Sequence, residues 1–286
     1  MLGIAGTIPI EDLPLLTGGV TMENGNIRID GRSIPVDRGT AALIGAAVKT
    51  AEVLGTALPR GIIVGDIGRG AGSRTLYKYL VDTFAESGFH TCTFHYLQPI
   101  VHWHNRLQKV IHDMEQRPVL IADAGFMYVA KMGGHAAMYD LFTPDIGELS
   151  FLADETAPHP FYTRGFILHD ENRVPDLIAR AYEHNNAARY LLVKGKRDCI
   201  AGREGILGEV DSPVEEAMEA IGGTGDILTG ILSALIYSGM DIEEAAIVAM
   251  RTNRIAGSCA RPTPATQIID IIRHIPKALE NTLSLQ

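Results

Sequence analysis

The sequence has 286 residues, 46% hydrophobic and 21% charged: enough apolar material for a large buried core and too ordinary a charge content for a disordered chain. A net charge of −9 disfavours a general nucleic-acid or anionic-membrane binder, but still allows an anionic ligand held by local backbone amides. Cys92, Cys199 and Cys259 form no CxxC pair, so a reducing cytoplasm without structural disulfides is expected. There is no signal-peptide pattern and no apolar run of about 18 residues.

Residues 1–38 carry several glycines and an Asn24-Gly25 turn between short alternating stretches, and read as a loop and small hairpin extending a single 286-residue domain. The Ala- and Leu-rich stretch 41–54 reads as a buried helix. A rhythm follows: strand 61–64, helix 74–86, strand 91–97, helix 103–114, strand 118–123, strand 139–143 and a helix starting near Ile146. Helix 174–184 leads to strand 190–194. Segments 199–201 and 205–210 read as an antiparallel pair. The last 60 residues are mainly helical, over 226–237, 242–256 and 268–279. Short apolar runs alternating with helices predict an α/β fold with a central, mostly parallel sheet covered by helices on both faces. Such sheets bind ligands beyond the C-terminal strand ends, here the loops after Val64, Asp123, Thr143 and Lys194.

The most informative segment is Gly222-Gly223-Thr224-Gly225-Asp226, followed by a nearly uncharged helical run. A buried helix opening at a Gly-rich turn aims several free amides at one spot, which suits a phosphoryl group in transfer. A carboxylate there repels phosphate, so Asp226 needs another purpose: taking a proton from an attacking hydroxyl. The competing reading makes Asp226 a first-turn acid favoured by the helix dipole.

Four ordered segments then carry a resemblance. GGTGDILTGILSALIYSG resembles the anion-hole segment of the ribokinase-like superfamily, and the ATP- or ADP-dependent NAD(P)H-hydrate dehydratase family within it. VLIADAG (119–125), LFTPDIGELSFL (141–152) and LLVKGKRDCIAGREG (191–205) are similar to that family's Asp-Ala strand, Thr-Pro-x-x-Gly-Glu segment and Lys-Gly strand with its hairpin. More loosely, IIVGDIGRGAG (62–72) is similar to its first Gly-rich substrate loop.

The resemblance implies a ribokinase-like three-layer fold with Asp226 as base and Gly223, Thr224 and Gly225 as the anion hole. It places Lys194, Gly195, Gly222 and Asn253 beside the nucleotide. Glu148 would position Mg²⁺; Asp123, Asp145, Gly70 and Ala71 would line the substrate side. ATP or ADP would phosphorylate the hydroxyl of a hydrated nicotinamide ring, and loss of phosphate would restore NADH or NADPH. A homo-oligomer without nucleic-acid or membrane partners is also implied. The chain departs from the family at Asp145-Ile146, at 212–221 and at Ile121, all on the substrate side.

A small-molecule kinase of the same fold is the second expectation, and a non-catalytic nucleotide binder the third. Bland alternatives stand beside several roles: Glu148 as a helix cap, Asp123 as a turn residue, Lys194 as an ordinary strand-end lysine. His102, His104 and His112 lack the ligand set of a metal site. The cluster His159, Tyr162, Arg164 and His169 reads as a surface loop before a lid or an oligomer contact.

Overall fold

The computed structural model describes residues 1–155 and 173–284; the 158–170 cluster lies outside the described residues. A nine-stranded sheet forms the middle layer. Its strands, in chain order, are β1 (Leu2–Ile8), β2 (Leu16–Gly19), β6 (Arg60–Gly65), β7 (Thr91–His95), β8 (Val119–Asp123), β9 (Leu141–Phe142), β10 (Tyr190–Val193), β11 (Asp198–Gly202) and β12 (Gly205–Val210). The spatial order is β12-β11-β10-β9-β8-β7-β1-β6-β2. From β10 to β6 all neighbours pair in parallel, whereas β2, β11 and β12 are antiparallel. A separate three-stranded sheet comprises β3 (Thr21–Glu23), β4 (Asn26–Ile29) and β5 (Arg32–Pro35).

Each inner strand sends alternate residues to two cores, as the pleat requires. Ile4, Ile63, Ile121 and Leu192 enter one core, with α1 (Thr40–Leu54), α7 (Thr224–Tyr237), α8 (Ile242–Ala260), α9 (Ile268–Ile272) and α10 (Ile275–Leu283) packed over it. Ala5, Ile62, Phe94, Leu120 and Val193 enter the other. Its cover is α2 (Ala71–Thr83), α3 (Val101–His112), α4 (Gly125–Met132), α5 (Ile146–Ala153) and α6 (Val174–Glu183). The expected sheet with helices on both faces is what forms.

Three expectations need correction. Residues 1–38 are not only an extension: β1 is buried along its whole length and is an inner strand of the sheet. A strand covered on both faces shows no alternation, and its Gly3 and Gly6 imitate a loop. The hairpin around Asn24-Gly25 does form, with φ of 51° and 78°, but Val20, Ile27, Ile29 and Ile34 bury it in the first core. Helix α4 was not expected; Gly125 and Gly133-Gly134 bracket it and make it read as a connector. The single helix expected over 268–279 is two, α9 and α10, with Pro276 in the first turn of the second.

Candidate active site

The site is assembled at the C-terminal ends of the inner strands. Parallel register sets His95, the last residue of β7, directly beside Asp123, the last residue of β8. Side chains two apart on a strand share a face, so Thr93 and His95 both point toward α7. That helix answers with a polar stripe at i, i+3 and i+7. Asp226 meets His95, Thr229 donates to Asp123 Oδ2 at 2.6 Å, and the Ser233 hydroxyl meets that of Thr93 at 2.7 Å. In an otherwise apolar helix, these hydroxyls satisfy polar groups that burial would leave costly.

Asp226 is held at both oxygens. Gly39 N–H donates to Oδ2 at 2.7 Å and His95 Nε2–H donates to Oδ1 at 3.1 Å. A carboxylate can only accept, so Nε2 carries a proton, and Nδ1 pairs with the Thr40 hydroxyl at 2.9 Å. Burial pushes the Asp226 carboxyl up, but the His95 hydrogen bond and charge, Lys194 and the Gly39 amide outweigh it, leaving Asp226 below the usual carboxylate range. Gly39 has φ 65°, in the region where glycine is favoured, and this turn is what aims its amide at the carboxylate.

Lys194 lies just past β10, where its N–H donates to Pro144 O. Its ammonium donates to both oxygens of Asp123, at 2.9 and 3.1 Å. Burial would lower its pKa, but Asp123 and Glu148 together push it up, so the side chain stays charged. Its stem lies along the α7 N-terminus: a Cβ built on Gly225 would be 3.3 Å from Lys194 Cδ. The loop after Lys194 is locked from below by Arg254, which was not singled out from the sequence. Arg254 Nε donates to Asp198 Oδ2 at 2.8 Å, and its Nη2 donates to the carbonyls of Gly195 and Lys196 at 3.0 and 2.7 Å. Gly195 N–H in turn donates to Asp198 Oδ1 at 3.0 Å.

The glycine turn opens α7 as expected, with Gly223 as N-cap at φ 105° and Asp226 in the first turn. The first-turn amides of Thr224, Gly225 and Asp226 have no acceptor within the helix. Gly222 is exposed and packs against Arg38. Asn253 lies beneath the turn, its Nδ2 donating to Thr224 O at 3.4 Å. Asp145 and Glu148 form a reciprocal capping box at the start of α5: Glu148 N–H donates to Asp145 Oδ1 at 2.7 Å and Asp145 N–H to Glu148 Oε2 at 2.9 Å. The cap is therefore realised, yet the Asp145 backbone also forms a parallel β-bridge with that of Lys194, which ties the pair to the site. Burial, then Asp145, raise the Glu148 carboxyl to about 8, with Asp123 adding to them against an opposing Lys194.

Gly70 and Ala71 join β6 to α2. Their loop folds around Asp66, whose carboxylate accepts from the amides of Gly68, Gly70 and Ser73 and from the Ser73 hydroxyl. The loop meets the neighbouring strand ends through Asp66 N–H, which donates to Ile8 O at 2.9 Å, and Ser73 Oγ, which accepts from Gln98 N–H at 3.1 Å. Asp66 thus occupies the amide donors that a ligand anion would need.

His95, Asp123 and Asp226 offer ligand atoms within 4.8 Å of one another. Protein groups already engage the carboxylates: the Lys194 ammonium on Asp123 and the Gly39 amide on Asp226. His104 is structural, as expected; its Nε2 pairs with the Tyr139 hydroxyl at 2.9 Å and burial lowers it to about 3.

Comparison with known proteins fits this geometry. The profile of the NAD(P)H-hydrate dehydratase family matches residues 102–277. An uncharacterized protein of Methanocaldococcus jannaschii is 43% identical over 242 residues, 84% of this chain and the whole of that protein. An ADP-dependent (S)-NAD(P)H-hydrate dehydratase of Cenarchaeum symbiosum is 29% identical over 171 residues, 59% of this chain and 53% of its own length. Among solved structures, the ADP/ATP-dependent NAD(P)H-hydrate dehydratase of Bacillus subtilis, co-crystallised with ATP and Mg²⁺, superposes with a TM-score of 0.57 at 15% identity, covering 98% of this chain and 91% of that one. That likeness shows the fold, which is ribokinase-like.

Proposed function

The chain belongs to the NAD(P)H-hydrate dehydratase family, and from that premise we propose that it repairs hydrated NADH or NADPH at the expense of ATP or ADP. The observation that carries the reading is Asp226. It is an ionised carboxylate in the first turn of α7, oriented by the Gly39 amide and His95, beside helix amides that lack internal acceptors.

Asp226 takes the proton of the ring hydroxyl. The freed oxygen attacks the terminal phosphorus, and the bond to the shortened nucleotide breaks. Amides of Gly223, Thr224 and Gly225 and the Lys194 ammonium face the charge that develops. Phosphate then leaves the ring carbon, driven by the ring-nitrogen lone pair, and loss of a proton from the neighbouring carbon restores the dihydropyridine. His95 keeps Asp226 aimed while it holds the proton.

The donors at the start of α5 fit Mg²⁺. Asp145 and Glu148 are hard oxygen ligands, and with Asp123 they leave negative charge in excess of Lys194, which the raised Glu148 reports. When bound, the ion would be held through Glu148 and would neutralise the phosphates.

The second reading is a kinase that releases a stable phosphoester. Incubation with hydrated NADH, Mg²⁺ and ATP or ADP separates the two. Recovered NADH absorbance with free phosphate supports repair; a persistent phosphorylated acceptor supports the kinase. Asp226→Asn should cost about 10²–10⁴-fold in rate, and a neutral effect removes the base from the mechanism.

None of the described helices is long and apolar enough to cross a membrane. A cytoplasmic homo-oligomer completes the proposal, and sedimentation of the full chain tests the assembly.

A further inference from the structure

Tyr96 follows His95 directly, and the phosphoryl chemistry does not use it. Its φ of 55° is a left-handed conformation that a bulky residue adopts only where its surroundings enforce it. Those surroundings are visible. The Thr7 hydroxyl donates to the Tyr96 carbonyl at 2.7 Å. The Tyr96 ring meets the His95 ring edge to face, with centroids 4.2 Å apart and planes at 67°. Two of its ring carbons lie 3.5 and 3.6 Å from where a Cβ of Gly39 would stand. The ring is thus wedged between the two groups that hold Asp226.

Packing alone does not account for this placement, because Tyr96 remains 49% exposed while most large apolar side chains nearby are buried. Its phenol lies in the field of Asp226, Asp123, Glu148 and Lys194, and burial together with the carboxylates pushes it above its usual range. A rigid, flat, half-open ring at the mouth of a charged site offers apolar surface where ions would prefer water. A ligand ring laid on it would cover that surface at little entropic cost.

We propose that Tyr96 is the stacking platform for the phosphoryl acceptor, which makes the acceptor an alcohol borne on an unsaturated ring rather than an open-chain or saturated polyol. The proposal rests on the reading of Asp226 as the base, since the platform is located by its distance from the residues that hold that carboxylate. A hydrated nicotinamide ring belongs to the class, as do hydroxymethyl-substituted heterocycles. Sugars do not.

The test uses the full chain with Tyr96→Ala and Tyr96→Phe. Binding of hydrated NADH, pyridoxine and ribose is measured calorimetrically with Mg²⁺ and a non-hydrolysable ATP analogue, and KM and kcat are measured for whichever acceptor turns over. Tyr96→Ala should weaken ring acceptors about three- to tenfold while nucleotide affinity is unchanged. Tyr96→Phe should stay within about twofold of wild type, because a phenyl face stacks equally well. Either of two results on the variants overturns the platform: unchanged ring affinity in Tyr96→Ala, or an equal loss in Tyr96→Phe. So does tighter binding of ribose, or no binding of any ring ligand at millimolar concentration. If hydrated NADH fails while pyridoxine binds in a Tyr96-dependent way, the platform stands and the repair reading falls.

Discussion

The proton affinity of Asp226, the base we propose, is set by its neighbours. Burial opposes its charge, and His95, Lys194 and the Gly39 amide restore it. A carboxylate depressed in this way stays ionised at lower pH than a free one, so activity should persist toward the acid side. Its contribution to stability is present above the unfolded value of about 3.9 and is lost as pH falls through the lower folded value. His95→Asn removes the donor to Oδ1 and the imidazole facing Asp123, Asp226, Thr40 and Tyr96. The acid limb of kcat/KM should then move to higher pH and kcat should fall about 10- to 100-fold, with nucleotide affinity retained. A pH–rate profile identical to wild type would show that His95 does not set the base.

His104 gives the opposite, structural case. Burial, then His135, hold it at about 3, against 6.5 in the unfolded chain. Between those values the unfolded state binds a proton that the folded state refuses. Stability is therefore complete above about 6.5 and declines on acidification by up to about 1.4 kcal/mol per pH unit. Melting temperature against pH should fall less steeply in His104→Gln than in wild type; equal slopes would place the acid sensitivity elsewhere.

Among the elements, α7 connects core and chemistry. It packs on α1 so closely that a Cβ at Gly230 would stand 2.2 Å from the carbonyl oxygen of Leu43, with Ala46 Cβ at 3.0 Å. Gly230→Ala must push the two helices apart, at a cost of about 1–3 kcal/mol. Because α7 carries Asp226 and α1 starts next to Gly39, the same displacement should lower kcat beyond what reduced stability explains. Denaturant titration and kinetics on the folded fraction check both; a variant as stable and active as wild type would show that the helices have room. The helix itself was legible from its apolar run and glycine start. Its partners were legible in principle: Asp226, Thr229 and Ser233 recur at i, i+3 and i+7 in an apolar helix, a stripe that must meet polar groups. Nothing in TCTFH marks His95 as that partner, because only strand register brings it beside Asp123.

For the whole molecule, the layer architecture followed from the alternation of short apolar runs with helices, and the glycine turn with its aspartate pointed to the candidate site. What stayed hidden lies mostly at the N-terminal side. β1 has no alternation because both its faces are covered, and the Gly39-Thr40 start of α1 is 187 residues from the carboxylate that Gly39 holds. Such long-range closures leave no local pattern. Glu148 shows a different limit: its capping role and its place near Lys194 are both realised, and sequence could not have said that they coincide.

The most direct test follows all products of one reaction: purified chain, Mg²⁺, hydrated NADH and ATP or ADP, quantified by NADH absorbance and phosphorus NMR, beside Asp226→Asn. The account predicts one NADH and one free phosphate for each nucleotide shortened, with the variant slower by about 10²–10⁴-fold. NADH recovery without nucleotide consumption, or a variant as fast as wild type, would contradict it.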